Sequence, residues 1–234
     1  MTASLQILEA EWLELLARPR GLVVKLLYPL VIGVPLVFLA PPSLGSMAVT
    51  LLVSTVSGLG TAAVLGRERS AGLHLRFRLA PRPAGRTVLD RVVAASTVDL
   101  VQVAPLLVLA VAVHPGGVAW VPALAAALAG TVLTVNALGA FASSLGSSPG
   151  EVMVWVMLPL LPSFYLSGLF VAPAGPLAIV AHALPFGYLR AALEGTLGGR
   201  PTYGAVTCAI AGAAFAALGA AAAYAAGRRV LEAA

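Results

Sequence analysis

The chain has 234 residues, of which 60% are hydrophobic and 10% are charged, and its mean hydropathy is +0.98. Soluble domains carry roughly 45–50% apolar and about 25% charged residues, so this composition excludes an ordinary soluble enzyme, and it excludes a disordered chain as well. Since each membrane span takes about 20 apolar residues, the sequence predicts an all-α protein that crosses the bilayer several times.

The charge balance is basic, with 14 Lys and Arg against nine Asp and Glu and a formal net charge of +5. In a soluble protein such an excess would suggest a nucleic-acid partner. Here we expect none, because the basic residues are distributed in the way that membrane topology requires. Cys208 is the single cysteine and the three histidines are scattered, so the sequence predicts neither an intrachain disulfide nor a metal site.

The first element in chain order is an amphipathic segment. Its apolar residues recur at helical spacing: Leu5, Leu8, Trp12 and Leu15. A helix of this kind followed by the basic pair Arg18 and Arg20 is typical of the membrane–water interface. We therefore predict an interfacial helix within residues 1–21, with a plain helical lead-in to the first span as the alternative.

Six apolar runs that are almost free of charge follow. They cover residues 26–40, 47–65, 92–113, 118–145, 152–171 and 204–226. The first run contains Pro29 and Pro35, which membrane helices tolerate when neighbouring helices satisfy the freed carbonyls. The sequence thus predicts six transmembrane helices in one domain that covers residues 1–234.

The orientation follows from the basic residues. Twelve of the 14 lie before the first run, in the 66–91 connection or after the last run. Because Lys and Arg are enriched on the cytoplasmic side of membrane proteins, we expect both termini and the 66–91 loop in the cytoplasm of a multi-pass protein of the cell membrane.

The 66–91 connection carries its own helical pattern. Leu73, Phe77 and Ala80 form an apolar stripe among several arginines, and Pro81 ends the helix. A short cytoplasmic helix of this composition either lies on anionic lipid or docks into a groove of another protein. The periodicity leaves both possibilities open.

Asp99 is the single acid well inside an apolar run, and Gln102 lies on the same helix face. An ionisable group in lipid is costly and is a candidate functional residue. The alternative is that Asp99 lies close enough to the cytoplasmic interface to pair with an arginine or a helix end.

The connection 172–203 contains two apolar pieces, Leu177–Leu184 and Leu189–Leu197, separated by a proline turn. Both are too short to cross a bilayer, so we expect re-entrant or outer interfacial helices on the extracytoplasmic side. Ser167, at the end of the fifth run, and His182 would also allow a serine intramembrane protease, through activation of the hydroxyl by the imidazole. We regard this as an alternative, because the intervening prolines give the two residues no shared helix face.

Three stretches of the sequence resemble the membrane subunit of type-2 ATP-binding-cassette (ABC) transporters, over nearly the whole chain. They are Arg18-Pro19-Arg20-Gly21, then Glu68-Arg69-Ser70-Ala71-Gly72 with Pro81, and finally Leu166-Ser167-Gly168-Leu169-Phe170 with Pro173, Pro176, Leu184-Pro185, Tyr188, Arg190 and Gly195. Family members usually carry Thr after the loop glycine and an acid two residues later, where this chain has Leu73 and Leu75.

The resemblance implies a permease without enzymatic activity, which forms a homodimer or heterodimer and exports its substrate. The chain has no phosphate-binding loop, and the resemblance places ATP and Mg on a separate cytoplasmic ATPase, so that this chain itself binds no cofactor. An exporter of haem with related architecture is the alternative.

The resemblance also implies roles for individual residues. The expected ATPase-coupling residues are Glu68, Gly72, Leu73, Arg76, Phe77 and Pro81. The expected residues of the translocation path are Asp99, Gln102 and Asn136. The expected residues of the extracytoplasmic gate are Ser167, Gly168, Pro185 and Tyr188.

Overall fold

The computed structural model describes residues 9, 12, 13, 16, 17, 19–70, 72, 83–171 and 174–232. Within these ranges the regular structure is entirely helical, and no strand is present. The helices are α1 (Pro19–Leu39), α2 (Pro42–Ser70), α3 (Ala84–Val113), a short 3-10 helix (Pro115–Trp120), α4 (Val121–Ala142), α5 (Pro149–Leu166), α6 (Leu177–His182), α7 (Phe186–Thr196) and α8 (Ala205–Glu232). The all-α class expected from composition is therefore confirmed for the described chain.

Within the described residues, five stretches are long and apolar enough to cross a membrane. They are Pro42–Arg69, Ala84–Val113, Pro115–Ala142, Pro149–Leu166 and Ala205–Gly227. The first predicted run lies in α1. The apolar part of this helix, Leu27–Leu39, is shorter than the five candidate spans. A multi-pass membrane protein is thus supported by five helices, and the sixth span remains a prediction.

Helices α4 and α8 pack through their backbones at two glycines. A side chain at Gly130 would overlap the carbonyl oxygen of Gly212, so both positions must lack a Cβ for the helices to approach so closely. Thr134 Oγ1 donates to the backbone oxygen of Phe215 at 3.2 Å and so adds a polar contact between the same helices. Small residues at the contact are the usual way in which helices associate in lipid, where no hydrophobic force drives them together.

One end of the bundle, which we call the arginine end, collects basic residues. They are Arg67 and Arg69 of α2, Arg86 and Arg91 of α3, and Arg229 of α8. Val88 of α3 packs with Ala223 of α8, and the Arg69 guanidinium donates to the backbone oxygen of Ser143 at 2.9 Å. These contacts bring the ends of α2, α3, α4 and α8 together.

The opposite end, which we call the α7 end, is closed by the short helix α7. Leu189 and Leu193 are almost fully buried and share a core with Trp120 of the 3-10 helix and with Val49 of α2. At six and 11 residues, α6 and α7 are both too short to span. They lie within the 172–203 connection that was expected to be re-entrant or interfacial.

Two sequence predictions concern residues outside the described ranges. Most of the interfacial helix 1–21 lies there. So do four of the expected coupling residues, Leu73, Arg76, Phe77 and Pro81.

We expect Gly130→Ala to lower the thermal stability of the detergent-purified protein, because overpacking a close contact costs about 1–3 kcal/mol. Gly150→Ala is the matched control, since a Cβ at Gly150 meets nothing within 4 Å. Thermal unfolding followed by size-exclusion chromatography gives the comparison. Equal melting temperatures for the two variants would contradict the close backbone contact.

Candidate functional site

A polar cluster joins three apolar helices inside the bundle. Asn136 of α4 accepts a hydrogen bond from Thr61 of α2 through Oδ1, and donates through Nδ2 to Ser96 and Asp99 of α3, with all three distances at 2.9 Å. Asn136 is fully buried. We call these four residues the asparagine cluster, and they connect α4 to α2 and to α3.

The asparagine cluster is stable because each group has a complementary partner. Burying an amide without hydrogen bonds costs roughly 2–7 kcal/mol, and lipid provides no water to reduce this cost. An ionised carboxylate can only accept hydrogen bonds, and the side-chain amide of Asn136 donates its N–H to Asp99. The cluster therefore accommodates one carboxylate between apolar helices without leaving Asn136 unsatisfied.

Two small cavities lie beside Asp99. The larger has a volume of about 50 Å³ and is lined by Thr61, Arg91 and Asp99 together with apolar residues. The smaller, about 10 Å³, brings Asp99 next to Gln102 and Ser57. A water molecule needs a cavity of about 10–15 Å³ and two to four polar partners, so the larger cavity has room for a few waters.

The larger cavity extends from Asp99 toward the arginine end. Arg91 lies eight residues earlier in α3, or about 12 Å along the helix, and forms an ion pair with Glu68 of α2. Both side chains of this pair are mostly buried, at 16% and 20% exposed. Arg86 and Asp90 form a second ion pair at 3.1 Å, closer to the N-terminal end of α3.

Two of the expected coupling residues lie in the described chain, and both are at the end of α2. Glu68 contacts Arg91, which connects the C-terminal turn of α2 to the first turns of α3. Gly72 has a φ of 71°, a left-handed conformation that favours glycine, and its amide donates to the backbone oxygen of Arg69 at 2.9 Å. Both residues therefore lie in the first part of the 66–91 connection, at or just after the C-terminal end of α2.

The expected gate residues meet at the α7 end. Ser167 is buried and its hydroxyl donates to the backbone oxygen of Phe164 at 2.9 Å. Gly168 turns the chain with a φ of 79°. Pro185 immediately precedes α7. The Tyr188 hydroxyl donates to the backbone oxygen of His182 at 3.2 Å.

An aromatic group surrounds Tyr188. Its ring stacks on that of Tyr203 with centroids 4.7 Å apart, and the His182 ring lies 5.6 Å from Tyr203. Burial raises the pKa of the Tyr188 and Tyr203 phenols, so both hydroxyls remain protonated donors at neutral pH.

Arg190 fastens α7 to the end of α5. Its Nη1 donates to the backbone oxygens of Gly168 and Leu169, which follow α5, at 2.8 and 2.9 Å. The guanidinium is therefore directed onto the backbone of this segment.

The structure bears on the protease alternative at two positions. The Ser167 hydroxyl is directed to Phe164, while the Nδ1 of His182 lies 3.4 Å from the Tyr188 hydroxyl. No Ser167–His182 hydrogen bond occurs between these two described residues. The part of the chain with assigned positions also contains no group of three His, Cys, Asp or Glu that could hold a metal ion.

The site contains residues that sequence reasoning missed. Thr61 and Ser96 join the asparagine cluster, and Glu194 lies near Arg190 on α7. Ser and Thr are common in membrane helices for packing reasons, so their types alone gave no signal. Glu194 is the one acid in the 172–203 connection, which is the signal that could have identified it.

Comparison of the chain with protein-family models, with curated proteins and with solved structures finds no match. Its function is therefore inferred from its own residues.

We expect Asn136→Leu to destabilise the protein by about 1–3 kcal/mol, because it removes three hydrogen bonds between helices and leaves buried donors and acceptors unsatisfied. Thr131→Val is the matched control on α4, since Thr131 is equally buried and bonds within its own helix, to Ala127. Thermal unfolding in detergent measures the difference. A Leu variant as stable as the Val variant would show that the cluster does not hold the helices together.

We expect Glu68→Arg and Arg91→Glu each to reduce stability, because breaking a largely buried ion pair leaves an uncompensated charge, at a cost of about 3–5 kcal/mol. The double charge reversal should recover part of that loss. A double-mutant cycle of melting temperatures checks this coupling. Purely additive effects would mean that the two side chains do not interact.

Proposed function

We propose that this chain is the transmembrane permease subunit of an ATP-driven exporter of the type-2 ABC class. The observation that carries the proposal is the packing of the stretch in which the resemblance is most specific. Arg190 is bonded to Gly168 and Leu169, and Tyr188 is stacked on Tyr203. Residues of the 172–203 connection and of the segment that precedes it thereby form one cap over the α7 end.

The arginine end supports the proposed orientation. Basic residues of α2, α3 and α8 meet there, and such residues are enriched on the cytoplasmic side. With that end in the cytoplasm, both termini and the 66–91 loop face the ATPase, and the cap lies outside. The chain is then a multi-pass protein of the cell membrane.

The proposed coupling begins at the 66–91 loop. Closure of two ATPase subunits around ATP and Mg would push on this loop in each permease. The Glu68–Arg91 ion pair would pass the displacement to α2 and α3 together, and Asn136 would transmit it to α4. Movement of these helices would then open the cap that Arg190 holds closed.

The proposal requires a second permease copy, because in the transporter class that the sequence resembles two permease bundles together form the translocation path. Exposed apolar side chains on α5, such as Val154, Leu158 and Leu161, provide a surface for that copy or for lipid. Asp99, Gln102 and Asn136 are the proposed polar residues of the path. The second copy is an identical chain or a related permease.

The test is association with a cytoplasmic ABC ATPase that is co-expressed with this chain. We expect Phe77→Asp to reduce co-purification at least about tenfold, since a charge in an apolar docking face costs more than about 1.4 kcal/mol. Phe170→Asp is the matched control, because Phe170 is half exposed at the opposite end. Wild-type protein that fails to bind the ATPase, or a Phe77→Asp variant that binds it normally, would refute the coupling role.

A further inference from the structure

A polar cavity at the α7 end is separate from the asparagine cluster. It has a volume of about 180 Å³, and the residues that line it include Ser167, Phe170, Arg190, Glu194, Thr202 and Tyr203. We propose that this cavity binds a zwitterionic ammonium–phosphate headgroup, with the ammonium on Glu194 and the phosphate on Arg190. Binding there needs no ATPase, so the inference does not depend on the proposed export function.

Glu194 supplies the first binding group of the proposed site. The residue is only 9% exposed, and its carboxylate has no hydrogen-bond or ion-pair partner among the residues whose positions are described. Its Cγ lies beside Gly199, whose amide donates to the Glu194 backbone oxygen at 2.8 Å. A buried carboxylate in this state is costly unless a cation or a donor binds to it.

Arg190 supplies the second binding group. Its Nη1 donates to Gly168 and Leu169 and its Nε is buried away from the cavity, which leaves Nη2, without a hydrogen-bond partner among the described residues, as the donor for a ligand. A guanidinium has five N–H donors, so donors remain for a ligand. Phosphate oxygens are acceptors that suit this group well.

The two charges together select the ligand class. Arg190 and Glu194 lie one helical turn apart on α7, and no ion pair joins these two described side chains. A ligand that is only cationic would be repelled by Arg190, and one that is only anionic would be repelled by Glu194. Calcium is also disfavoured, because it requires six to eight oxygen ligands. A zwitterion with separate ammonium and phosphate groups satisfies both residues.

The surroundings of the cavity favour a lipid as the source of this headgroup. Phe170, which lines the cavity, is 50% exposed, and the adjacent Val171 is 62% exposed. Acyl chains could lie against these apolar side chains while the headgroup enters between Arg190 and Glu194. An ethanolamine phospholipid has this combination of groups.

The test measures binding of short-chain lipids to the detergent-purified full chain by native mass spectrometry. The probes are dihexanoyl phosphatidylethanolamine, the anionic dihexanoyl phosphatidylglycerol, and free phosphoethanolamine. We expect the ethanolamine lipid to bind at least about tenfold more tightly than the glycerol lipid, since one charge-assisted hydrogen bond accounts for such a ratio. Free phosphoethanolamine that binds as tightly as the lipid would support the site and assign it to a soluble zwitterion.

Glu194→Gln should remove this preference, because it keeps the shape of the side chain and deletes the charge. Glu151→Gln is the control, since Glu151 is an exposed acid at the start of α5. The proposal is overturned if Glu194→Gln retains wild-type affinity for the ethanolamine lipid, or if the wild-type protein does not distinguish the two lipids. Should Glu194→Gln fail to fold, the wild-type lipid preference alone decides.

Discussion

The structure depends on one constraint, namely that polar groups buried in lipid must find their partners within the protein. Asn136 satisfies it by bonding to Thr61 on one side and to Ser96 and Asp99 on the other. Since these bonds reach α2 on one side and α3 on the other, they fix both the rotation and the height of α4 between the two helices. The glycine contact with α8 at Gly130 then positions the opposite face of α4. Polar bonds and close backbone contact thus act on different sides of one helix.

The centre of the bundle and its two ends are held by different kinds of contact. At the arginine end, α2 and α3 are joined by the Glu68–Arg91 ion pair. At the α7 end, Arg190 bonds only to backbone oxygens of the segment that follows α5. Bonds to a turn can be exchanged without rebuilding a core, whereas the buried hydrogen bonds of Asn136 join three helices at once.

Hydropathy was sufficient to predict the helical class and five of the spans, because long apolar runs have no other stable form in lipid. It could not determine how the helices face one another, since the lipid-facing and protein-facing sides of these helices are both apolar. Thr61 and Asn136 are 75 residues apart, so nothing local links them. Asp99 and Gln102 were identified because polar residues are rare in such runs. Glu194 was missed because an acid in a short interfacial helix is ordinarily exposed, whereas here it is buried next to Gly199.

The same constraint gives Asp99 and Glu194 different roles. Both are acids in the apolar body of the protein, but the chain supplies an amide donor to Asp99 and supplies none to Glu194 from its described residues. A carboxylate with a partner inside the chain adds to the stability of the fold. A carboxylate that lines a cavity beside a partly used arginine has no partner within the described chain and is available to a ligand. The cost of its burial then becomes binding energy for a ligand with the complementary charges, and that is the physical reason for assigning the α7 end, rather than the asparagine cluster, to recognition.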